Sequence, residues 1–159
     1  MKLGDEIGKS KPFDSLEQAA ALNVARTWDV LSAEFDEVFK TSRLSRTQYN
    51  VLRILRGARG GGGEGLSCGE IAERMITRDP DITRLLDRLE KRKLVSRCRQ
   101  KSDRRVVCVH ITAAGLELLA SLDDVVIEAH RKQLGHMGPD KLKQLIELLE
   151  LARERNATS

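Results

Sequence analysis

Aromatic side chains are scarce, with one Trp, one Tyr and three Phe in 159 residues. RNA-binding sheets and single-strand binders stack bases on aromatics, so that class is disfavoured. The cysteines number three, an odd count without C-x-x-C spacing, which argues against a disulfide framework or a zinc knuckle. No apolar run approaches a membrane span, and the start, MKLGDEIGKSKP, has no apolar signal core. A cytoplasmic protein with no membrane contact is expected. The histidines, His110, His130 and His136, accompany no Ser or Cys in a nucleophile motif, so no enzyme is expected. His130 and His136 lie six apart and point to different faces of a helix, unless the chain bends near Gly135. A metal held by them with Glu128 is therefore not expected, and neither is a cofactor.

Charge is what the chain has. There are 28 Lys and Arg against 24 Asp and Glu, a formal +4. Residues 78–105 hold eleven basic groups and five acids, a local +6 that leaves −2 elsewhere. Basic character this concentrated argues for a footprint on an anionic partner. The length suffices for one domain, or one elongated two-part domain, with a hydrophobic core.

The basic segment has two periods. Asp79 is a good helix cap and Pro80 a good first residue. Ile82, Leu85, Leu86 and Leu89 then recur on one helical face, opposite Asp81, Thr83, Arg84, Asp87, Arg88 and Lys91. After Leu94 the alternation becomes twofold, in 95–99 and again in 107–111, around the polar turn 100–104. This predicts a β-hairpin with a basic tip directly behind a helix. From Lys91 to Arg105 there are eight basic residues and one acid, Asp103. A charged run alone is usually a solvated face. A helix joined to a basic hairpin is narrower, because both can approach the phosphates of one duplex.

Around this segment the pattern is helical. Residues 1–12 read as a mobile polar arm. Asp14 and Glu17 suggest a capping pair for a helix to about Thr41, with Leu16, Ala20, Val24, Trp28, Leu31, Phe35, Val38 and Phe39 as its buried stripe. At about 40 Å such a helix is longer than one packed domain needs and suits a reach to a second subunit. Ser45 and Gln48 form a capping box for a helix to about Arg56, with Val51, Leu52 and Leu55 inward. The glycine-rich run 57–65 reads as a flexible connector, since no Gly-Lys-Ser/Thr follows to make a phosphate loop. Ser67 and Glu70 open a short helix with Ile71, Ala72 and Met75 inward, and a tight turn at 76–78 completes a helix-turn-helix. Thr112 caps a helix expected to bury Leu116, Leu119, Leu122, Val126 and Ile127. After Gly138-Pro139 a last helix over about 140–155 carries Leu142, Leu145, Ile146, Leu149 and Ala152, widened by Leu148 and Leu151. So apolar a face asks for a partner, either a second chain or the first helix of the same chain.

The segments TRLLDRLEKRKLVSR and DRRVVCVHITAAG resemble the recognition helix and wing of the MarR family of winged-helix transcription regulators. The family's wing signature, Asp-x-Arg, an alternating strand ending in Leu/Ile-Thr and then Gly, matches Asp103, Arg105, Ile111, Thr112 and Gly115. The resemblance covers nearly the whole chain. Lys93 departs from it, standing where the family usually has glycine. If the position requires φ > 0, lysine costs roughly 1 kcal/mol there.

The resemblance implies a mainly α fold with a small β-hairpin wing: a winged helix-turn-helix lobe over 42–111 and a helical dimerisation region over 13–41 and 112–159. It also implies a homodimer with intertwined terminal helices, for which Leu16, Leu142, Leu145, Ile146 and Leu149 are the interface candidates. The expected partner is double-stranded DNA with a pseudo-palindromic operator, and the expected role is repression. Arg78, Asp81, Thr83, Arg84 and Arg88 are the recognition-helix candidates: Arg84 for guanine, Asp81 for a cytosine amino group, Thr83 for a base or a phosphate. In the wing, the resemblance gives Arg105 the minor groove with Asp103 holding it, while Lys101 and Arg104 take phosphates. A small phenolic or anionic effector is implied as well. Trp28 and Tyr49 are placed to line its pocket, with a core role for both left open. Redox-sensing members carry their cysteine near the start of the first helix, and this chain has none there. Cys68 falls in the first turn of a helix, and Cys98 and Cys108 flank the hairpin so that they can sit opposite each other. A thiol-responsive repressor using these cysteines is one alternative. Another is a winged-helix protein-interaction module that does not read DNA, against which the local +6 argues.

Overall fold

The computed structural model describes residues 2–59, 65–77, 81–99 and 106–154, and the chain divides into two compact units, 1–37 and 38–159. In the first unit a short helix α1 (Leu3–Glu6) precedes the long helix α2 (Leu16–Lys40), which continues into the second unit. Glu6 pairs with Arg26 at 3.2 Å. The cap of α2 is Ser15, one residue beyond the expected Asp14: its Oγ accepts the Gln18 amide at 3.1 Å, and Gln18 Oε1 accepts the Asp14 amide at 2.9 Å. The stripe expected to be buried along α2 is buried at Phe39 and half-buried at Leu31, Phe35 and Val38, but open at Leu16, Ala20, Val24 and Trp28. Leu16 is 86% exposed. Within its unit, α2 has only a four-residue helix to set against that face.

The second unit continues with α3 (Arg46–Arg59), β1 (Leu66–Ser67), α4 (Cys68–Arg74), α5 (Ile82–Lys91), β2 (Val95–Arg99), β3 (Val107–Ile111), α6 (Ala113–Leu134), a 3-10 turn (Gly135–Met137) and α7 (Pro139–Glu154). Both expected capping boxes are present. Ser45 Oγ accepts from Gln48 N at 3.1 Å and Gln48 Oε1 from Ser45 N at 3.0 Å, while Ser67 and Glu70 reciprocate at the head of α4. Helix α3 runs through Gly57 to Arg59, three residues past its expected end, so the glycine run is partly helical. Arg56 and Arg59 in its last turn favour that continuation, because cations suit the carbonyl end of a helix. The rest of the connector, 60–64, lies outside the described residues.

Helix α5 begins at Ile82 and its cap is Asp81, not Asp79. Asp81 sits at φ −128°, outside the helical region, and its carboxylate accepts the Arg84 amide at 3.2 Å. The hairpin strands fall where the alternation placed them, with Cys98 opposite Cys108. The sheet has a third strand, β1, paired antiparallel with β3 to give the order β1-β3-β2. Two residues are too few to show a period, so only the partner strand defines it. Leu52, Ile71, Leu86, Leu89, Val95, Val109 and Leu119 are fully buried and form the core of this unit.

Helix α6 buries Gly115, Leu119, Leu122 and Val126, whereas Leu116 is half-buried and Ile127 is exposed. The glycine sets that register. A Cβ on Gly115 would collide with the Leu94 carbonyl oxygen and stand 2.7 Å from Ile111 Cγ1, so only glycine lets the helix start this close to the corner before β2. Arg56 of α3 grips Asp123 of α6 through two bonds of 2.7 and 2.8 Å. That bond holds the Asp123 carboxyl below, and the Arg56 guanidinium above, their ordinary pKa. Helix α7 has no buried residue: Leu142, Leu145 and Leu149 are half-buried, and Ile146, Leu148 and Leu151 are exposed.

Lys93 adopts φ +59°, the left-handed conformation that the departure from glycine raised as a cost. The Leu94 amide donates to Leu89 O at 3.0 Å and the Lys93 amide to Glu90 O at 2.8 Å, the two bonds of a Schellman end to α5. Arg43, at φ +52°, ends α2 in the same way. Replacing Lys93 with glycine is expected to raise the unfolding free energy by about 1 kcal/mol, while Lys93→Ala leaves it nearly unchanged. Gly115→Ala, by forcing a methyl group onto the Leu94 carbonyl, is expected to cost about 1–3 kcal/mol. Urea unfolding of the three variants checks both signs.

Candidate nucleic-acid interface

The described interface candidates, Asp81, Thr83, Arg84 and Arg88, lie at the cap and along α5. Leu85, Leu86 and Leu89 anchor one face of α5 in the core, which leaves Thr83, Arg84, Arg88 and Lys91 exposed on the other. The Arg84 side chain is 80% exposed. Its Nε lies 3.1 Å from Asp81 Oδ2, so the residue that caps the helix also steers the arginine. Arg84 and Arg88 line a polar cleft of about 280 Å³ with Ser45, Thr47 and Gln48 from the start of α3 and with Asp81. Arg78, Lys101, Asp103, Arg104 and Arg105 lie outside the described residues.

The turn of the helix-turn-helix is fixed from outside. The Ile76 amide donates to Asn50 Oδ1 at 3.1 Å, tying the segment after α4 to α3. At the far end of α5, Arg92 donates to the carbonyls of Arg43 and Ser42 at 2.7 and 2.9 Å, which ties that end to the turn before α3. All three bonds pair a side chain with a distant backbone group. Nothing in the local pattern of Asn50 or Arg92 announced them.

Arg97 also departs from the picture of a uniformly available basic run. Its guanidinium reaches from β2 back to α5, donating to Asp87 Oδ1 at 2.6 Å, Glu90 Oε2 at 2.9 Å and the Thr83 carbonyl at 3.4 Å. Burial works against its charge, but the Asp87 bond and the two carboxylates outweigh that and raise its pKa. Arg92 and Arg97 are therefore braces, while Lys91, Lys93 and Arg99 remain exposed. Asp87 and Glu90 share a helix side at i, i+3, a signal for a cation but not for which one.

Of the two residues suggested for an effector pocket, Tyr49 is buried. Its ring lies 4.7 Å from that of Phe39, and its hydroxyl accepts from Arg53 at 3.3 Å. Trp28 lies in the exposed part of α2, at 53%. Among the described residues no group of His, Cys, Asp and Glu is arranged to hold a metal ion, and no helix is long and apolar enough to cross a membrane.

Comparison with known proteins follows the same lines. A model of the MarR family matches residues 44–107. The crystal structure of a MarR transcription factor from Planctomyces limnophilus is 47% identical, over 88% of this chain and 99% of its own, with a TM-score of 0.66. The homoprotocatechuate degradative operon repressor of Escherichia coli is 27% identical over 73% of this chain and 75% of its own. The structure of Bordetella bronchiseptica BpsR, from work on regulation of its DNA binding by 6-hydroxynicotinic acid, matches the fold with a TM-score of 0.73. It is 21% identical over 85% of this chain and 98% of its own.

If Arg97 is a brace, truncating it should act on stability. Arg97→Ala is expected to cost about 1.5–3 kcal/mol, the range for a hydrogen bond to a charged group. A double-mutant cycle with Asp87→Ala should return a coupling of about 1 kcal/mol. Additive effects in the two variants would remove the brace.

Proposed function

This chain belongs to the MarR family of winged-helix transcription regulators, and we propose that it works as a homodimeric repressor in the cytoplasm, released from its operator by a small molecule. It is a DNA-binding regulator, not an enzyme. The exposed face of α5 carries the finer reading: Thr83, Arg84 and Arg88 stand on a helix whose other face is locked in the core. In the major groove, Arg84 reads guanine through its two-pronged donor face, and Thr83 meets a base or a phosphate. Asp81 steers Arg84, and accepting from a cytosine amino group would require giving up part of that bond. Arg78 and Arg88 flank these contacts. The wing contacts, Arg105 with Asp103 in the minor groove and Lys101 and Arg104 on phosphates, rest on the sequence resemblance.

The apolar faces left open in one chain, namely Leu16 on α2 and Ile146, Leu148 and Leu151 on α7, support the homodimer. Joining them along a twofold axis gives two recognition helices for a pseudo-palindromic site, with half-sites centred about one helical turn apart. The effector is proposed as a small phenolic or anionic compound. BpsR, whose DNA binding is the subject of regulation by 6-hydroxynicotinic acid, supports that chemistry.

The test is affinity for a duplex enriched from a random library and for its scrambled counterpart, across a salt series. Arg84→Ala is expected to lose about 1–3 kcal/mol on the enriched duplex and to relax preference at one position per half-site. Lys101→Ala should weaken both duplexes alike and flatten the salt slope by about one unit. Arg105→Ala should fall between, losing most where the minor groove is narrow and A·T-rich. Equal losses on both duplexes for all three variants would leave only a basic patch.

For the dimer, Asp at both Leu145 and Leu149 is expected to give monomers or insoluble protein, since a carboxylate in an apolar interface is costly. An unchanged dimer in sedimentation would dismiss that interface.

A further inference from the structure

The two strands of the hairpin bring together three groups that DNA reading does not use. Cys98 and Cys108 are direct partners across β2 and β3, and His110 shares their face of the sheet, opposite Ser96. Cys98 is exposed and Cys108 is buried. The Cys98 sulfur lies 3.1 Å from His110 Nε2. Gly65, at φ +85°, packs against the same part of the imidazole: a Cβ there would stand 2.6 Å from Nε2 and 2.7 Å from Cε1. The ring thus lies close to both the exposed thiol and a glycine that admits no side chain.

We propose that this cluster is a thiol oxidation site, in which Cys98 attacks a hydroperoxide, His110 takes its proton and Cys108 closes a disulfide across the hairpin. In the first step the Cys98 sulfur attacks one peroxide oxygen. The S–O bond forms, the O–O bond breaks, and sulfur is oxidised by two electrons to a sulfenic acid. The thiol proton passes through His110 Nε2 to the departing alkoxide or hydroxide, which leaves as alcohol or water. In the second step the Cys108 sulfur displaces that hydroxyl. The S–S bond forms, the S–O bond breaks, and water leaves with the Cys108 proton.

The geometry favours both steps. The exposed sulfur meets the oxidant first, and the shielded one is already in register. Directly opposed residues in an antiparallel pair have Cα atoms roughly 4.5–5.5 Å apart, within the span a disulfide bridges. The bridge would sit one residue from the end of β2 and one from the start of β3. It lies next to Arg97, whose bonds to Asp87 and Glu90 connect the hairpin to α5. A disulfide imposes its own dihedral on the strand pair, so closing it would re-twist the wing and pull on that brace. The consequence for DNA rests on the function proposed above, whereas the thiol chemistry does not.

The test treats the reduced full-length protein with hydrogen peroxide and, separately, cumene hydroperoxide, followed by peptide mass mapping and dimedone labelling. The expected product is one Cys98–Cys108 bridge within the chain, with Cys68 unmodified. Cys108→Ser should stop at a dimedone-reactive Cys98. His110→Ala should slow loss of the Cys98 thiol by about tenfold or more, and added imidazole should restore the rate, which a purely structural role of the ring would not allow. Oxidation falling first on Cys68, a bridge between chains, or an undiminished rate in His110→Ala would overturn the proposal. Duplex affinity read on the same samples separates the two ideas. A bridge that forms without changing affinity keeps the oxidation site and removes the wing from DNA contact. A reduced protein that binds no duplex removes the DNA reading alone.

Discussion

The corner at Lys93 and Leu94 is the point on which the joining of α5, the hairpin and α6 depends. The Leu94 amide closes α5 onto Leu89, and the Leu94 carbonyl accepts the Thr112 amide at 3.1 Å, where the chain leaves β3. Thr112 Oγ1 donates to the Lys93 carbonyl at 2.7 Å and accepts from Gly115 N at 3.1 Å as the cap of α6. Three elements are therefore hydrogen-bonded through two consecutive peptide units. The left-handed turn at Lys93 is the strained member of the set. It persists because the amides and carbonyls of Lys93 and Leu94 are all hydrogen-bonded, and an alternative backbone path would break those bonds.

From that corner the aim of α5 is over-determined. Arg92 fixes its end to the turn after α2, Arg97 fixes its side to β2, and Asp81 closes its start. In the proposed DNA-binding role the local excess of positive charge serves two purposes. Arginines whose guanidinium finds carboxylates or carbonyls become part of the scaffold, and the remainder keep their charge for phosphates. A fork of planar donors suits both tasks, and only the position of acceptors in the fold decides between them.

The helices outside the lobe show the opposite balance. A fully formed helix such as α7 with no buried residue has little to stabilise it against the entropy of ordering its chain. The same absence of cover leaves α2 open over its first half. The proposed homodimer would supply cover for such faces, since an apolar patch can be buried against its own copy about a twofold axis.

Sequence alone determined whatever depends on spacing. The hairpin strands, the capping boxes at Ser45 and Ser67, the Thr112 cap, the leucine face of α5 and the family follow from residue types at fixed intervals, because caps and faces are set within a few residues. The strain at Lys93 was legible in the same way, from one departure in a known pattern. What required the tertiary structure were contacts between residues far apart in the chain. These include the two-residue strand β1, the acceptors of Arg92 and Arg97, the glycine contact that sets the register of α6, and the approach of both Gly65 and Cys98 to the imidazole of His110. The start of α5 belongs with them. Asp79 fits the pattern of a cap in the sequence, and only the path of the backbone gives that role to Asp81. Periodicity records which face a residue occupies, but not which atom from another element will meet it there.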